Sequence, residues 1–156
     1  MQITPVLKLS VRLKERFRSW EDERFKTDLR ADLSFSMNEL YASVRLNGVS
    51  CIGLGLLGYL EGGYRNQKCS LYLRSGMFRI DNWEDRIYSY ERDAPGNFSV
   101  PSYYGRGFWT SLNGSWRYSR WGRLYARFGL KAYPFMHGIE KKPGNAELKV
   151  QTVISF

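Results

Sequence analysis

Hydrophobic and polar residues alternate along most of this chain. In the segment WGRLYARFGLKAYP (121–134), Leu124, Phe128 and Leu130 share one parity, and Arg127 and Lys131 share the other. A period of two is typical of a β-strand with two unlike faces. No segment combines a helical period with a helix cap. The pattern therefore predicts an all-β antiparallel meander.

The same alternation divides the chain into about nine predicted strands, which include the tyrosine-rich segment RIYSYER (86–92). Between them, the predicted strands carry one apolar set and one basic set. The apolar set contains Leu7, Leu9, Val11, Leu13, Leu29, Leu33, Leu54, Leu56, Leu124, Phe128, Leu130, Leu148, Val150 and Ile154. The basic set contains Lys8, Arg12, Lys14, Arg30, Arg45, Arg74, Arg117, Arg123, Arg127 and Lys131.

The glycine-rich stretch GLGLLG (53–58) fits the dinucleotide-binding pattern G-x-G-x-x-G. That pattern indicates a nucleotide site only where it follows a strand and opens a helix. Here the next residues, YLEGGYRNQK, add two glycines and a polar run that would break a helix. The alternation of Ile52, Leu54, Leu56 and Leu60 predicts a glycine-containing strand instead.

The charge and composition are compatible with several classes of binding partner and do not distinguish among them. The chain of 156 residues has a net charge of +9 and is 16 % aromatic. Such a balance is compatible with nucleic acid, anionic lipid or an acidic ligand. We expect one domain over residues 1–156. The sequence shows neither a transmembrane helix nor a signal peptide.

Two arrangements of the alternating strands remain open. A soluble sandwich or barrel would place the apolar set inside, where it could hold a lipid or another apolar ligand. An outer-membrane-type β-barrel would place the apolar set toward the lipid bilayer and the basic set in the lumen. The membrane arrangement is favoured by apolar runs of membrane-crossing length, by aromatic residues at strand ends and by alternating loop lengths. A nucleic-acid-binding domain is less favoured, because its stacking aromatics would lie side by side on one face.

The C-terminal stretch ELKVQTVISF resembles the C-terminal signal of bacterial outer-membrane barrels. It combines alternating apolar residues with a terminal aromatic residue, Phe156. The resemblance implies recognition by the outer-membrane insertion machinery. With nine strands, a barrel whose last strand ends in the periplasm would begin on the outer side, whereas bacterial barrels have even strand numbers. We therefore expect an incomplete barrel that lacks N-terminal strands and forms the C-terminal part of a longer precursor.

The segment 76–134 is similar to the C-terminal β-barrel region of outer-membrane proteins of Bacteroidota that carry helix-hairpin-helix repeats. The similarity rests on MFRIDNWEDRIYSYERDAPGNFSVPSYYGRGFW and on the RLYARFGLKAYP strand. It implies an outer-membrane barrel and transfers no activity, and without the repeats no nucleic-acid role is carried onto this chain. The motif residues are Arg86, Tyr88, Tyr90, Glu91, Tyr104, Gly105 and Gly107.

Residues for catalysis or metal binding are sparse. The single histidine, His137, has no cysteine or carboxylate at ligand spacing, so we expect no metal, no cofactor and no enzyme activity. Cys51 and Cys69 would lie at opposite ends of a hairpin and stay unpaired. A hairpin centred on Glu21 would set Lys14 opposite Asp28. The basic set has two interpretations: lumen arginines paired with carboxylates and tyrosines, or a surface that selects an anionic solute. The sequence thus predicts a non-enzymatic outer-membrane anchor or channel, with a soluble ligand-binding barrel as the alternative.

Overall fold

The chain forms an antiparallel meander, and its computed structural model describes residues 5–18, 24–134 and 143–154. In this described part, eight long strands form one sheet in the order β1-β2-β3-β4-β5-β8-β9-β10, and β6 pairs with β7 separately. The prediction of an all-β antiparallel meander is confirmed. The strands are β1 Val6–Arg18, β2 Arg24–Met37, β3 Leu40–Ser50, β4 Leu54–Arg65, β5 Cys69–Ile80, β6 Ile87–Tyr88, β7 Ser102–Tyr103, β8 Gly105–Arg117, β9 Gly122–Ala132 and β10 Asn145–Ile154.

The strand registers follow the alternation of the sequence. Leu29 of β2 lies opposite Leu13, and Phe128 of β9 lies between Leu112 of β8 and Leu148 of β10. Apolar residues therefore meet apolar residues across every long strand, as expected where a register slip would move a whole set to the other face. The predicted register of Lys14 opposite Asp28 is confirmed.

Most of the GLGLLG stretch lies in a strand, as predicted. Residues 54–58 belong to β4, which continues to Arg65 without a helix. Cys51 lies before β4 and Cys69 begins β5, at opposite ends of that hairpin. Both thiols are free, which confirms the expectation that they are unpaired.

The two ends of the sheet differ in their connections. Three short turns, at 38–39, 66–68 and 118–121, lie at the same end of the strands as Val6 and Ile154; we call this the short-turn end. The connections 51–53 and 81–104 lie at the opposite end of the strands, where Arg18 ends β1 and Asn145 begins β10; we call this the long-loop end. Asn38 has φ 54, in the left-handed region that asparagine tolerates in two-residue hairpin turns.

The prediction that RIYSYER is a strand of the meander is wrong. The chain leaves the sheet after β5, forms a short 3₁₀ helix at Trp83–Asp85, and returns at Gly105, so residues 81–104 form one insert between neighbouring strands. Only Ile87–Tyr88 is extended in a strand, and it pairs with Ser102–Tyr103 of the same insert. The period of two is present, but its outward positions carry Tyr88 and Tyr90 instead of aliphatic residues.

This correction changes the strand count behind the parity argument. Within the described residues the main sheet has eight strands, not nine. The start of β1 and the end of β10 therefore lie at the same end of the sheet, the short-turn end. An even strand number gives no reason to expect additional N-terminal strands. The assignment of loop lengths changes as well. The connection at EGGYRNQK shrinks to the turn 66–68, because β4 extends to Arg65 and β5 begins at Cys69.

The core lies between the insert and one face of the sheet, toward the long-loop end. Trp109 of β8 is 2 % exposed, and its ring centroid lies 4.4 Å from that of Tyr103 in the insert. Phe78 packs edge-on against Tyr103 at 5.3 Å, and Ile87 is fully covered. Aromatic pairs at these separations stabilise beyond the area they bury. The insert is thus a packed part of the fold.

Candidate functional site

One face of the sheet is aliphatic and uncovered. Its members alternate with the residues that face the insert; three charged residues, Glu15, Arg79 and Arg106, share this face toward the long-loop end. Leu7 and Leu148, on the two outermost strands, are each 69 % exposed. We define this aliphatic face by Leu7, Leu9, Val11, Leu13, Leu29, Ala31, Leu33, Phe35, Leu40, Ala42, Val44, Leu46, Leu54, Leu56, Leu60, Leu71, Leu73, Met77, Phe108, Leu112, Leu124, Ala126, Phe128, Leu130, Ala146, Leu148, Val150 and Ile154.

All fourteen residues predicted to face lipid lie on this aliphatic face. Thirteen are exposed, and Leu124 is half-exposed. The apolar stretch runs through residues 108–116, 124–132 and 146–154 of the last three strands. Nine strand residues extend about 30 Å, which at a tilt of about 40° gives a height of about 23 Å. This height matches the hydrocarbon thickness of a bacterial outer membrane.

Aromatic and charged residues border the aliphatic face. At the short-turn end, Trp116 and Trp121 are both about half-exposed. At the long-loop end, Trp83 is 52 % exposed, and Arg106 makes a bidentate ion pair with Asp81, with N to O distances of 2.6 and 2.9 Å. Aromatic side chains with polar groups beyond them are typical of residues at a membrane–water interface.

The opposite face of the sheet, the polar face, holds the insert by ion pairs. Glu61 of β4 is 4 % exposed and accepts hydrogen bonds from Arg74 of β5 at 2.7 Å and from Arg92 of the insert at 2.8 Å. Arg74 also donates to the carbonyl oxygen of Tyr90 at 2.7 Å. The Arg92 guanidinium lies 4.0 Å from the Tyr72 ring centroid. One buried carboxylate therefore joins two strands to the insert.

A second ion-pair cluster lies around Arg127 of β9. Its guanidinium donates to the buried Glu91 carboxylate and, at 3.1 Å, to Asp93. Lys149 of β10 lies 3.4 Å from the same Asp93 oxygen. Burial opposes the ionised form of Asp93, but the Ala94 amide and the two cations outweigh it and lower the pKa of Asp93. The insert is therefore tied to β9 and β10 as well as to β4 and β5.

Asp85 fixes the start of the insert to the neighbouring turn. Its fully buried carboxylate accepts backbone hydrogen bonds from Cys51 at 2.7 Å, Ile52 at 3.3 Å and Gly53 at 2.8 Å. Lys26 of β2 donates to the carbonyl oxygen of Glu84. Three converging N–H groups compensate the burial of one carboxylate.

The family-like motif residues lie in or beside the insert. Glu91 is 5 % exposed and also accepts a hydrogen bond from the Tyr103 hydroxyl. Burial and then the Glu91 charge raise the pKa of Tyr103 far above its ordinary value. Gly105 has φ 91, a conformation that favours glycine, at the point where the chain re-enters the sheet. Arg86, Tyr88, Tyr90, Tyr104 and Gly107 complete the motif, and Tyr88 and Tyr90 are exposed.

The remaining predicted lumen residues fall into two groups. Arg30 and Arg45 both bind Asp32, and Lys131 donates to the Ser102 carbonyl oxygen at 3.4 Å. Arg12 lies 3.6 Å from Asp28. The second group comprises the exposed Lys8 and Lys14 of β1 and, at the short-turn end, the exposed Arg117 of β8 and the half-exposed Arg123 of β9. The structure thus brings Arg74 and Arg127 into buried clusters and leaves β1 basic and open.

A cleft of about 550 Å³ lies on the polar face beside the insert. It reaches the short-turn end, where Arg65 and Arg123 line it, and Tyr72, Asn113 and Tyr125 form its wall. Among the described residues, neither Arg65 nor Arg123 has a carboxylate within ion-pair distance, and Arg123 makes only a long contact of 3.5 Å to the Gln67 carbonyl. The one carboxylate among the residues that line the cleft, Asp93, is paired with Arg127 and Lys149. The cleft is therefore neutralised inside and cationic at its mouth.

The residues that organise the insert were not predicted from the sequence. Asp85, Arg92 and Asp93 lie where no alternation marks them, and their partners are 31 to 56 residues away in the chain. The only local signal was the turn sequence DAPGN. Phe156 and His137 lie outside the described residues, so the predicted insertion signal and the histidine loop have no structural description here.

Comparison with known proteins identifies no relative: no family model, curated protein or solved structure matches the chain. In the described part of the chain, no helix has the length and apolarity required to cross a membrane.

Proposed function

We propose that this chain is a β-barrel segment of the bacterial outer membrane that anchors a larger envelope protein. The observation that carries the proposal is the aliphatic face, which extends across eight strands and whose charged residues, Glu15, Arg79 and Arg106, lie toward the long-loop end. In water such a face would be an exposed apolar patch of unusually large area. In a bilayer it matches the hydrocarbon core in height and in its aromatic borders.

The choice of covered face supports the membrane proposal over the soluble alternative. A soluble ligand-binding barrel needs its apolar set inside. Here the polar face carries the insert and buries Glu61, Arg74 and Arg127, whereas Leu7 and Leu148 are open. A polar interior with an apolar exterior is the arrangement of membrane barrels.

The loop arrangement and the family-like motif support the outer membrane as the location. The turns at the short-turn end have two to four residues, whereas the opposite end carries the 24-residue insert beside the short connection 51–53. Short turns at one end and longer connections at the other are typical of outer-membrane barrels, whose short turns face the periplasm. The proposed resemblance to Bacteroidota outer-membrane proteins is consistent with the placement of the motif, since Glu91 and Gly105 hold and terminate the insert. Insertion through the outer-membrane machinery, with Phe156 as its signal, belongs to the same proposal.

The insert favours an anchor over an open channel. Residues 81–104 lie across the polar face, with hydrogen bonds that reach from Lys26 of β2 to Gln151 of β10. The long-loop half of the interior is thereby filled by Ile87, Tyr103 and their neighbours. A lumen blocked in this way does not conduct while the insert is in place.

A substitution in the aliphatic face tests the proposal. Leu73 is 51 % exposed in the middle of β5, opposite Leu112. In lipid, Leu73→Arg should lower the free energy of unfolding by about 2–4 kcal/mol, and Leu73→Ala should cost less. In water the same arginine at an exposed site should change it by about 0.5 kcal/mol or less. Urea unfolding in phospholipid vesicles measures both variants, and a near-neutral Leu73→Arg would contradict the membrane placement.

The cationic mouth of the cleft supports a second role, the binding of an anionic solute. Arg65 and Arg123 present guanidinium groups without carboxylate partners among the described residues, beside polar Tyr, Asn and Ser side chains. Such groups favour anions. Tripolyphosphate is a suitable probe, because its charge is compact and it carries no apolar part.

Calorimetric titration with tripolyphosphate at low salt tests this role. Arg65→Gln and Arg123→Gln should each weaken binding by about tenfold, the value of one charge-assisted hydrogen bond. Arg86→Gln, in the insert and outside the cleft lining, is the control and should leave binding unchanged. Equal affinities in all variants would show that the cleft is not the anion site.

A further inference from the structure

The sheet has two open edges. β1 pairs only with β2 and β10 pairs only with β9 among the described residues, so each presents an unpaired row of backbone groups. A lipid-exposed edge of this kind does not occur in hydrocarbon, because each unpaired N–H and C=O group costs several kcal/mol. If the aliphatic face lies in lipid, both edges must therefore have neighbours.

Direct pairing of β1 with β10 would leave too little room. An eight-stranded barrel has an interior just wide enough to be filled by the side chains of its own strands. Here the polar face also carries the backbone of the 24-residue insert, which spans the sheet from Lys26 to Gln151, and beside it a cleft of about 550 Å³. The contents of the interior thus require a larger circumference than eight strands provide.

Strand direction restricts how many strands can complete the wall. β1 runs from the short-turn end to the long-loop end, and β10 runs the opposite way. Additional strands that continue the antiparallel order between β10 and β1 must therefore be even in number. The smallest addition is one hairpin.

The charges on β1 specify what its neighbour carries. Lys8, Arg12, Lys14 and Arg16 all lie on the polar face of β1, and only Arg12 has an ion-pair partner, Asp28, among the described residues. The other nearby carboxylate, Asp32, is shared by Arg30 and Arg45. Cationic side chains enclosed in a lumen need compensating charge.

β10 does not supply that compensation. Its polar-face residues are Asn145, Glu147, Lys149, Gln151 and Val153, and Lys149 adds a further cation. Glu147 lies 3.3 Å from Lys149 and 4.0 Å from Arg127. The same residues would face β1 if a second copy of the chain closed the wall, so charge complementarity disfavours that occupant too.

We propose that the β1 edge is the docking site of a transmembrane β-hairpin whose lumen-facing positions are acidic and whose opposite positions are aliphatic. The hairpin belongs to an even set of strands that separates β1 from β10. This inference rests on the proposed membrane function and adds the partner that completes the wall. Opposite charges directly across two strands each stabilise the pairing by a small amount, so that a row of such pairs defines both register and partner.

Photo-crosslinking in bacterial membranes tests the proposal. A benzophenone amino acid replaces Ser10, which lies in the middle of β1 on the polar face, and the crosslinked peptide is sequenced by mass spectrometry. The same probe at Ser43 of β3, whose neighbours on both sides are known, is the control and should capture β2 or β4. Capture of β2, which lies opposite Ser10, is expected in any case. The product that supports the proposal is a second strand, outside the described sheet, with alternating aliphatic residues and with Asp or Glu on the other parity.

The remaining outcomes overturn the inference. Capture of β10 from the same chain would show direct closure, and capture of β10 from a second copy would show a dimeric wall. A captured second strand without acidic alternation, or no product at Ser10 other than β2 while Ser43 reacts, would show that the edge has no such partner. Charge reversal by Lys14→Glu should lower the yield at position 10, whereas Lys14→Arg should not.

Membrane extraction of the same samples distinguishes a failure of the docking inference from a failure of the proposed membrane function. Protein that resists extraction by alkaline carbonate is integrated, and a wrong crosslink in that fraction contradicts only the docking inference. Protein that is released by carbonate contradicts the proposed membrane function itself.

Discussion

Two glycines on the polar face, Gly107 and Gly129, have different surroundings. At Gly107 of β8, an added methyl group would lie well inside van der Waals contact of the Ala132 carbonyl oxygen and 3.0 Å from the Phe78 ring. Gly129 of β9 has no atom within 4 Å of the same position. Two glycines on the same face therefore differ in what they exclude.

This difference gives a prediction with a matched control. Gly107→Ala should lower the free energy of unfolding by about 1–3 kcal/mol, because backbone and ring must shift to admit the methyl group. Gly129→Ala should leave it unchanged or raise it by up to about 1 kcal/mol, since alanine restricts the unfolded chain. Urea denaturation in vesicles measures both. Equal effects at the two positions would contradict the close packing of Gly107.

At the scale of elements, the insert is held by charge as much as by packing. Asp93 ties it to β9 and β10 through Arg127 and Lys149. Its carboxylate is 3 % exposed, so it has little water to replace those partners. The ionised form is the one that the cluster stabilises.

The lowered pKa of Asp93 predicts acid sensitivity of the insert. A carboxyl group whose folded pKa lies below its unfolded value of about 3.9 stabilises the fold above that value. The contribution is lost as pH falls through the folded pKa. Between pH 7 and pH 2, the wild type should therefore lose more stability than Asp93→Asn, which has no titrating group there. Identical pH profiles from proteolysis of the insert would contradict this role.

The sequence allowed the long strands to be predicted but not the insert. The strands follow from alternation alone, and the register of Lys14 and Asp28 follows from a symmetric hairpin. The insert does not, because RIYSYER has the same period as a strand and its distinguishing contacts, such as Glu91 with Arg127, form 36 residues apart in sequence. The basic residues could be identified from the sequence. The carboxylate partners of Arg127 and the position of the cleft could not, because both depend on where the insert lies.

At the scale of the whole molecule, the two faces of the sheet are inverted relative to a soluble protein. Ion pairs of Glu61, Arg74 and Arg127 are enclosed, and the aliphatic face is left open. The even meander, the short-turn end and the blocked interior all accord with a membrane wall that supports other parts of an envelope protein. On the proposed membrane placement, the open edges of β1 and β10 need neighbouring strands.

The contact between the aliphatic face and lipid is tested most directly by quenching. Single cysteines replace Leu112 on the aliphatic face and Asn113 in the cleft, in a background with Cys51→Ser and Cys69→Ser, and each carries the same fluorophore. In vesicles that contain brominated phospholipid, the label at position 112 should be strongly quenched and the label at position 113 should not. Equal quenching, or stronger quenching at position 113, would contradict the membrane account.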